Sequence, residues 1–364
     1  MSSLDRIEIK GLKSIHELDL ELRPLNVLIG ANGAGKTNFI SAFQLLNQIV
    51  EGNLQLFVAK SGGANTLLYF GQKVTSEIFI CLHFGKNGYA VRLAPSAQDT
   101  LIFADEGCWY HGSGYPRPYE VSLGSGHKET RLHEEARRRG GRIADYVLKG
   151  LKSWKVYHFH DTSDSAKIKQ TGDIGDNTVL RPDASNLAAF LYLLRENHWE
   201  HYDRIIKTIR LAAPFFGDFT LRPSPFNSNK IQLEWREKDS DAYFNANSLS
   251  DGTLRFICLT TLLLQPTLPS TILIDEPELG LHPYAITLLA SMLQSVATKT
   301  QVIVSTQSVS LVNQFSPEDI IVVDRENGQS VFKLLKAKEI ESWLEEYGLG
   351  DLWEKNILGG RPQR

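Results

Sequence analysis

Residues 30–37 read Gly30-Ala31-Asn32-Gly33-Ala34-Gly35-Lys36-Thr37. This is the G-x-x-x-x-G-K-[ST] spacing of a phosphate-binding loop. The chemistry is local. Gly30, Gly33 and Gly35 let backbone N–H groups turn inward around phosphate oxygens. A following helix adds the partial positive charge of its N-terminus. Lys36 brings a cation to the β- and γ-phosphates, and the Thr37 hydroxyl is a ligand for Mg²⁺. A second set of groups lies far downstream. Thr271–Ile274 is an apolar run that ends in Asp275-Glu276. Asp275 would hold Mg²⁺ directly or through water. Glu276 is the natural general base, or orienter, for a water attacking a γ-phosphate. Strand alternation would point it away from Asp275. A glycine turn or a surface Asp-Glu pair is ordinary in isolation, and it is the pairing that carries the reading.

Elements must hold these groups. Leu25–Ile29 reads as a short buried strand before the loop. Phe39, Ile40, Phe43, Leu46, Ile49 and Val50 give a helical stripe after it. Ile7, Ile9, Leu18, Leu20 and Leu22 alternate, so residues 4–29 read as three strands leading into the loop. Lys13-Ser14 falls in the turn between the first two. Lys13 either reaches the nucleotide or is a solvated turn lysine. Residues 76–123 are rich in β-formers: Glu77–Phe84, Tyr89–Leu93, Thr100–Ala104, Gly107–His111 and Tyr119–Leu123 read as an antiparallel meander. Asn186–Leu211 is helical with a break near Asn197-His198, and Asp183 or Ser185 is its expected cap. Gly172–Pro182 reads as a mobile loop. Phe219–Arg222 and Ile231–Arg236 read as strands.

Composition limits the classes. The chain has 364 residues, 42% hydrophobic and 10% aromatic, enough for about two domains, or one large one with an insertion, with a packed core. The net charge of −3 excludes a global nucleic-acid signature. A local one remains. Residues 127–155 hold nine Lys/Arg against four acids, and Arg137, Arg138, Arg139 and Arg142 are candidates for nucleic-acid phosphates. The alternative is a solvated helix face or a mobile loop around Gly140-Gly141. Cys81, Cys108 and Cys258 are scattered without metal-type spacing, which suits a reducing cytosol. The expected location is cytoplasmic, with no signal sequence and no membrane partner. Val156-Tyr157-His158-Phe159-His160-Asp161 reads as a strand ending in polar groups. The His-x-His-Asp run lacks a further His/Cys cluster to make a metal site.

Three further segments complete the pattern. Ser248-Leu249-Ser250-Asp251-Gly252-Thr253 precedes a helix over Leu254–Leu264. It resembles the Leu-Ser-Gly-Gly-Gln signature of ABC-type ATPases, with Asp251 and Thr253 as departures. Ser250 and the Gly252 backbone can grip a γ-phosphate at a helix N-terminus, or Ser250 is an ordinary N-cap. Pro277–Pro283 stands in the place of the ABC D-loop. Gln301–Ser305 reads as a strand ending in Ser305-Thr306-Gln307-Ser308. ABC ATPases usually carry a switch histidine there. Gln307 can donate a hydrogen bond to a γ-phosphate oxygen but cannot take up a proton.

Together, Lys13-Ser14, the loop with Asn38-Phe39 behind it, Leu249–Arg255, Ile274–Pro283, Ser305–Ser308 and the tail Leu349–Pro362 resemble soluble ABC-type ATPases of the RecF/SMC class. Most similar within it are compact bacterial ATPases described as RecF-like; related modules occur in OLD nucleases and in the PtuA subunit of the Septu anti-phage system. The resemblance implies an α/β fold: an ABC-type ATPase head with an antiparallel β flank, a helical insertion and no long coiled-coil arms. It divides the chain into an N-terminal ATPase lobe (1–75), a β-rich flank with the basic segment (76–165), a helical/β insertion (166–245), a signature, Walker B and switch region (246–335) and a tail (336–364). It implies ATP and Mg²⁺, and a nucleotide contacted by Gly30, Asn32, Gly33, Gly35, Lys36, Thr37, Asn38 and Lys13. It also implies a head-to-tail homodimer, or a higher oligomer, in which Ser250 and Gly252 of one copy close the loop of another. His160 or Asp161 stands at the strand end that carries the family's Q-loop. OLD enzymes add a Toprim nuclease; the expectation here is a separately encoded effector or nuclease, with DNA as a further candidate partner. The functional expectation is an ATP-hydrolysing switch that gates such an effector, in anti-phage defence by analogy with relatives. Two alternatives are a RecF-like DNA-binding repair protein and a scaffold that keeps ATP without turnover.

Overall fold

The computed structural model describes residues 3–114 and 116–360. Arg361 and Pro362, where the expected family tail ends, lie outside the described residues. Strands are numbered in chain order. One six-stranded antiparallel sheet contains β1 (Arg6–Leu12), β2 (Ile15–Glu21), β4 (Ile78–Phe84), β5 (Asn87–Pro95), β6 (Leu101–Tyr110) and β7 (Tyr119–Gly124), in the order β2-β1-β4-β5-β6-β7. The central sheet contains β3 (Leu25–Ile29), β8 (Trp154–Tyr157), β15 (Thr271–Asp275), β16 (Gln301–Thr306), β17 (Ile320–Glu326) and β18 (Gln329–Leu334), in the order β18-β17-β3-β16-β15-β8. It is parallel except for β18. Two small sheets are built from β9 (Gly172–Asp173), β11 (Pro223–Ser224) and β12 (Asn227–Ile231), and from β10 (Phe216–Phe219), β13 (Glu234–Glu237) and β14 (Tyr243–Asn245).

The helices are α1 (Lys36–Glu51), α2 (Leu54–Lys60), α3 (Ala64–Leu67), α4 (Leu132–Arg137), α5 (Arg142–Lys152), α6 (Leu187–Asn197), α7 (Trp199–Ala212), α8 (Asp251–Leu264), α9 (Pro283–Ala297), α10 (Val309–Val312), α11 (Ala337–Leu344) and α12 (Leu349–Glu354). The longest among the described residues has 16 residues, so no coiled-coil arm is present there.

The apolar runs of the central strands follow from burial on both faces. Val27, Ile29, Ile272, Ile274, Val302 and Val304 face one core with α6, α7, α8 and α9. Leu28, Leu273, Ile303, Ile321 and Val323 face the other, with α1, α5 and the antiparallel sheet. Fully burying one such side chain contributes about 1.5–3 kcal/mol. The α1 stripe is buried as its spacing predicts, and the helix ends at Gly52 in the left-handed region (φ +71°).

Several expectations change. Residues 6–29 form the three expected strands, but β1 and β2 lie in the flanking sheet, where β1 pairs with β2 and with β4. The segments Thr100–Ala104 and Gly107–His111 are one strand, β6, because register shifts let it pass its neighbours without a turn. Gly172–Pro182 is pinned rather than mobile. Ile231 pairs with Gly172, Leu180 is buried, and the Asn186 amide donates to the carbonyls of Asp176 and Val179, both at 2.9 Å. Asn186, not Asp183 or Ser185, precedes α6, and its side chain serves that loop instead of the helix. The expected strand Phe219–Arg222 is displaced to Phe216–Phe219, and Ile231–Arg236 is split between β12 and β13.

Candidate functional site

The parallel strands carry the expected groups to one edge. β3 ends at Ile29, opposite Thr306 of β16; Ser305 of β16 faces Asp275 of β15; Ile274 faces Tyr157 of β8. Phosphate loop, Gln307, Asp275-Glu276 and the His158–Asp161 segment therefore leave four adjacent strands at their carboxyl ends. Ligands bind there in open α/β sheets.

The loop geometry depends on two glycines. At Gly30 (φ +156°) a Cβ would lie 2.2 Å from the Val323 carbonyl oxygen, and at Gly35 (φ +123°) 2.0 Å from Ser330 Oγ. Gly35 precedes α1, so no side chain caps that helix, and its first turn holds no acid. Lys36 Nζ folds back onto the carbonyls of Gly30 (2.5 Å) and Ala31 (3.1 Å). Burial lowers its pKa, opposed by Glu276, Asp275 and Glu278. Asn32 and Thr37 are exposed. Asn38 is committed to the protein: its amide donates to Ser14 Oγ at 2.6 Å. Lys13 Nζ donates to Ser41 Oγ at 2.9 Å, and burial lowers its pKa.

The acidic groups divide their work. Ser305 Oγ donates to Asp275 Oδ1. The strand stops at Asp275, and Glu276 takes a left-handed backbone (φ +43°). That turn, not strand alternation, gives Glu276 its own direction, and the Gln307 amide donates to its Oε1. A non-glycine residue held there is a mark of functional sites. Glu278, buried, accepts from Thr306 Oγ1 (2.5 Å) and Gln307 N (3.1 Å), while its Oε2 has no partner. Burial raises its pKa.

On the remaining elements, the His160 ring nitrogen Nε2 lies 2.8 Å from the Asp275 carbonyl oxygen. Asp161 turns to its own loop, where Oδ1 accepts from Ser163 Oγ at 2.7 Å. Ser250 is the N-cap of α8, accepting from Thr253 N at 3.2 Å. At Gly252 a Cβ would sit 2.1 Å from the Gly280 carbonyl oxygen, so the signature turn needs a glycine for packing alone. Arg137, Arg138, Arg139 and Arg142 are exposed where α4 gives way to α5, and Arg138 pairs with Glu135 at 2.8 Å.

Sequence reasoning missed four residues. Ser330 Oγ donates to the Ala34 carbonyl (2.6 Å), and Arg325 Nη1 donates to that of Gly33 (3.2 Å). Glu278 holds Thr306 and Gln307. Arg255 joins three segments, donating to the carbonyls of Phe159, His160 and Leu279 at 3.2, 2.9 and 3.0 Å. Arg255 lay inside a quoted motif; Ser330 and Arg325 had no local signal.

A family profile described as "AAA domain, putative AbiEii toxin, Type IV TA system" matches residues 25–106 and 117–313. The chain belongs to this family. It is 26% identical to an OLD nuclease of Thermus scotoductus (strain ATCC 700910 / SA-01) across 89% of this chain and 63% of that protein. It is 21% identical to the Old nuclease of Escherichia phage P2 across 93% of this chain and 62% of that protein. The chain thus spans about three fifths of the length of these relatives. Two solved structures share the fold. An Smc head bound to the C-winged helix domain of ScpA aligns at a TM-score of 0.62, with 14% identity, over 93% of this chain and 99% of that one. An Smc head domain with an extended coiled coil, bound to the C-terminal domain of ScpA derived from Pyrococcus furiosus, aligns at 0.60, with 14% identity, over 95% and 99%. The family member is therefore an ABC-type, SMC-head-like ATPase fold related to OLD nucleases, as the resemblance implied. Among the described residues no helix is long and apolar enough to cross a membrane.

Proposed function

We propose that this chain is an ATP-hydrolysing switch whose two half-sites meet between copies. The observation that carries the reading is the convergence of Lys36, Asp275, Glu276 and Gln307 at adjacent strand ends, in a chain of an ATPase family. The loop and Lys36 hold the triphosphate. Thr37 and Asp275 offer the hard oxygen donors that suit Mg²⁺, which supplies charge neutralisation at the phosphates. Glu276 takes the proton of a water whose oxygen bonds to the γ-phosphorus, while the bond from that phosphorus to the β–γ bridging oxygen breaks and ADP leaves. Gln307 orients Glu276 at rest, and its amide has a second N–H for a phosphate oxygen.

Dimerisation rests on the place of the signature turn. Ser250 and Gly252 line a cavity of about 110 Å³ with Ala212, Gly280 and His282, apart from the phosphate loop. A second copy's nucleotide would fill that position, in the head-to-tail arrangement. A separately encoded effector is the proposed client, nuclease-like by analogy with the OLD relatives. Glu276→Gln tests the core of this. It should bind ATP, accumulate an ATP-dependent dimer in light scattering, and release phosphate about 10²- to 10⁴-fold more slowly. Parent-like turnover would remove Glu276 from the reaction.

The exposed Arg137, Arg139 and Arg142 favour a second reading, in which the head holds nucleic acid when ATP is bound. Reversal of Arg137, Arg138 and Arg139 to Glu should then abolish ATP-dependent retention of DNA. Unchanged retention sinks it.

A further inference from the structure

Glu8, Cys81 and His83 meet on the flanking sheet, not on the sheet that carries the phosphate loop. Glu8 of β1 lies directly opposite Cys81 of β4, and His83 follows two residues on. Alternation puts all three on one face. Ile7, Ile9, Ile80 and Leu82 point the other way, into the core. Cys81 is buried, while Glu8 and His83 are partly exposed. His83 Nε2 lies 3.4 Å from Cys81 Sγ and 3.1 Å from Glu8 Oε1. Among the described residues this is the only trio of His, Cys, Asp or Glu whose ligand atoms all lie within 4.8 Å of one another. The neighbouring cations have carboxylates of their own. Arg6 donates to both oxygens of Asp19 at 2.6 and 2.5 Å, and its contact with Glu8 Oε1 is looser, at 3.4 Å. Lys10 Nζ lies 2.6 Å from Glu17. Trp109 sets the imidazole in place. It lies over Gly88, the β5 residue opposite His83, where a Cβ would come 1.9 Å from the indole. Its ring stands edge-on to that of His83, with centroids 5.5 Å apart.

Hydrogen bonds alone do not satisfy this trio. A ring nitrogen carries one proton or one lone pair, not both. With a proton, Nε2 donates to the Glu8 carboxylate and cannot accept from the Cys81 thiol. Without one, it accepts from the thiol and turns its lone pair toward the carboxylate. A single cation serves all three groups at once. The spacing suits it. Tetrahedral Zn²⁺, with Zn–S of about 2.3 Å and Zn–N and Zn–O of about 2.0–2.2 Å, holds sulfur and nitrogen about 3.6 Å apart and nitrogen and oxygen about 3.4 Å apart. The separations here differ from these by a few tenths of an ångström. One thiolate, one imidazole and one carboxylate select a borderline metal over Mg²⁺ or Ca²⁺. We propose that Glu8, Cys81 and His83 hold one Zn²⁺, with its fourth position open to water. The thiol proton passes to solvent as Sγ bonds the metal, and the imidazole keeps its proton on Nδ1. The ion ties β1 to β4 on the face that core packing leaves bare. No local spacing announces the site, because 75 residues separate Glu8 from His83. It stands apart from the Mg²⁺ proposed for Thr37 and Asp275, and does not depend on that reading.

Zinc binding to the full chain without nucleotide tests it, by competition with a chromogenic chelator in excess Mg²⁺, which keeps the phosphate-loop site out of the readout. The parent should take one Zn²⁺ per chain, and Zn²⁺ should raise its melting temperature. Co²⁺ in place of Zn²⁺ should give the near-ultraviolet charge-transfer absorption of a cobalt–thiolate bond. Cys81→Ser should lose that band and bind Zn²⁺ more than about a hundredfold more weakly, beyond the loss of a partner that only orients a ligand. Glu8→Gln keeps an oxygen but not its charge. It should retain the cobalt band and weaken Zn²⁺ about tenfold, the lower end of that scale. Melting of both variants without metal near the parent's temperature separates lost ligation from lost folding. A parent spectrum without the cobalt–thiolate band overturns the proposal, whatever the variants do. So does a band that persists in Cys81→Ser, which would place the thiolate at Cys108 or Cys258. Parent-like Zn²⁺ affinity in Cys81→Ser, or displacement of Zn²⁺ by Mg²⁺, overturns it as well.

Discussion

Helices α1 and α8 carry the two halves of the proposed site on their first turns, and those turns are finished in opposite ways. α1 starts after Gly35, with no side-chain cap and no acid in its first turn. Its orphan N–H groups and positive end are left for an anion from outside. α8 starts after Ser250, whose hydroxyl accepts from Thr253 N, and Asp251 already complements the helix dipole. One turn is incomplete without a ligand; the other is satisfied by its own chain. Ser250 still has an O–H to donate, because a hydroxyl both donates and accepts. On the proposed reading the phosphate loop captures the nucleotide, and the signature turn is what a second copy would add.

The largest expected effect breaks the capturing half. Lys36→Ala removes the cation that now rests on the Gly30 and Ala31 carbonyls. Phosphate release should fall on the order of a thousandfold or more, with ATP binding lost, while the melting temperature without nucleotide stays near the parent's. Retained ATP affinity would mean that α1 alone suffices. Ser250→Asp sharpens the other half. Aspartate caps as well as serine, so stability should hold, but a carboxylate then faces the partner's phosphates. Turnover should drop about a hundredfold, the scale of one lost charge-stabilising donor. ATP binding to dilute monomer should not change. Unchanged turnover would reduce Ser250 to a helix cap.

How much of this was legible follows the range of the signals. Gly30–Thr37, Thr271–Glu276 and the α1 stripe are local patterns, and the structure forms the elements they predict. The flank was legible as β but not in its pairing, because nothing within residues 6–21 says whether β1 joins β3 or β4. Glu276 was legible as a carboxylate but not in direction, since its left-handed turn is set by tertiary contacts with β16, where Glu276 N donates to the Ser305 carbonyl at 2.9 Å. Ser330 and Ala34 meet across 296 residues of chain. Contacts of that separation leave no periodicity to read.

The smallest expected effect concerns the segment that joins the two halves. Glu278 accepts from Thr306 and Gln307 on the capturing side, and its carbonyl accepts from Leu281 N at 3.0 Å. Gly280, between them, packs against Gly252 on the signature side. Burial holds the Glu278 carboxyl above its ordinary value of 4.5. From 4.5 up to that raised value the native chain binds more protons than the unfolded one. Stability from this group is therefore fully present below 4.5 and is lost as pH rises through the window. Glu278→Gln has no proton to lose, and its amide oxygen can still accept from Thr306 and Gln307. Its melting temperature relative to the parent should rise from pH 5 to pH 8, by the equivalent of about 1 kcal/mol, the scale of one poorly paired buried polar group. A flat difference would remove the effect of burial; one that falls with pH would point to an ionised Glu278 coupled to the Lys36 cation. The joint would then belong to the capturing half by charge rather than by burial.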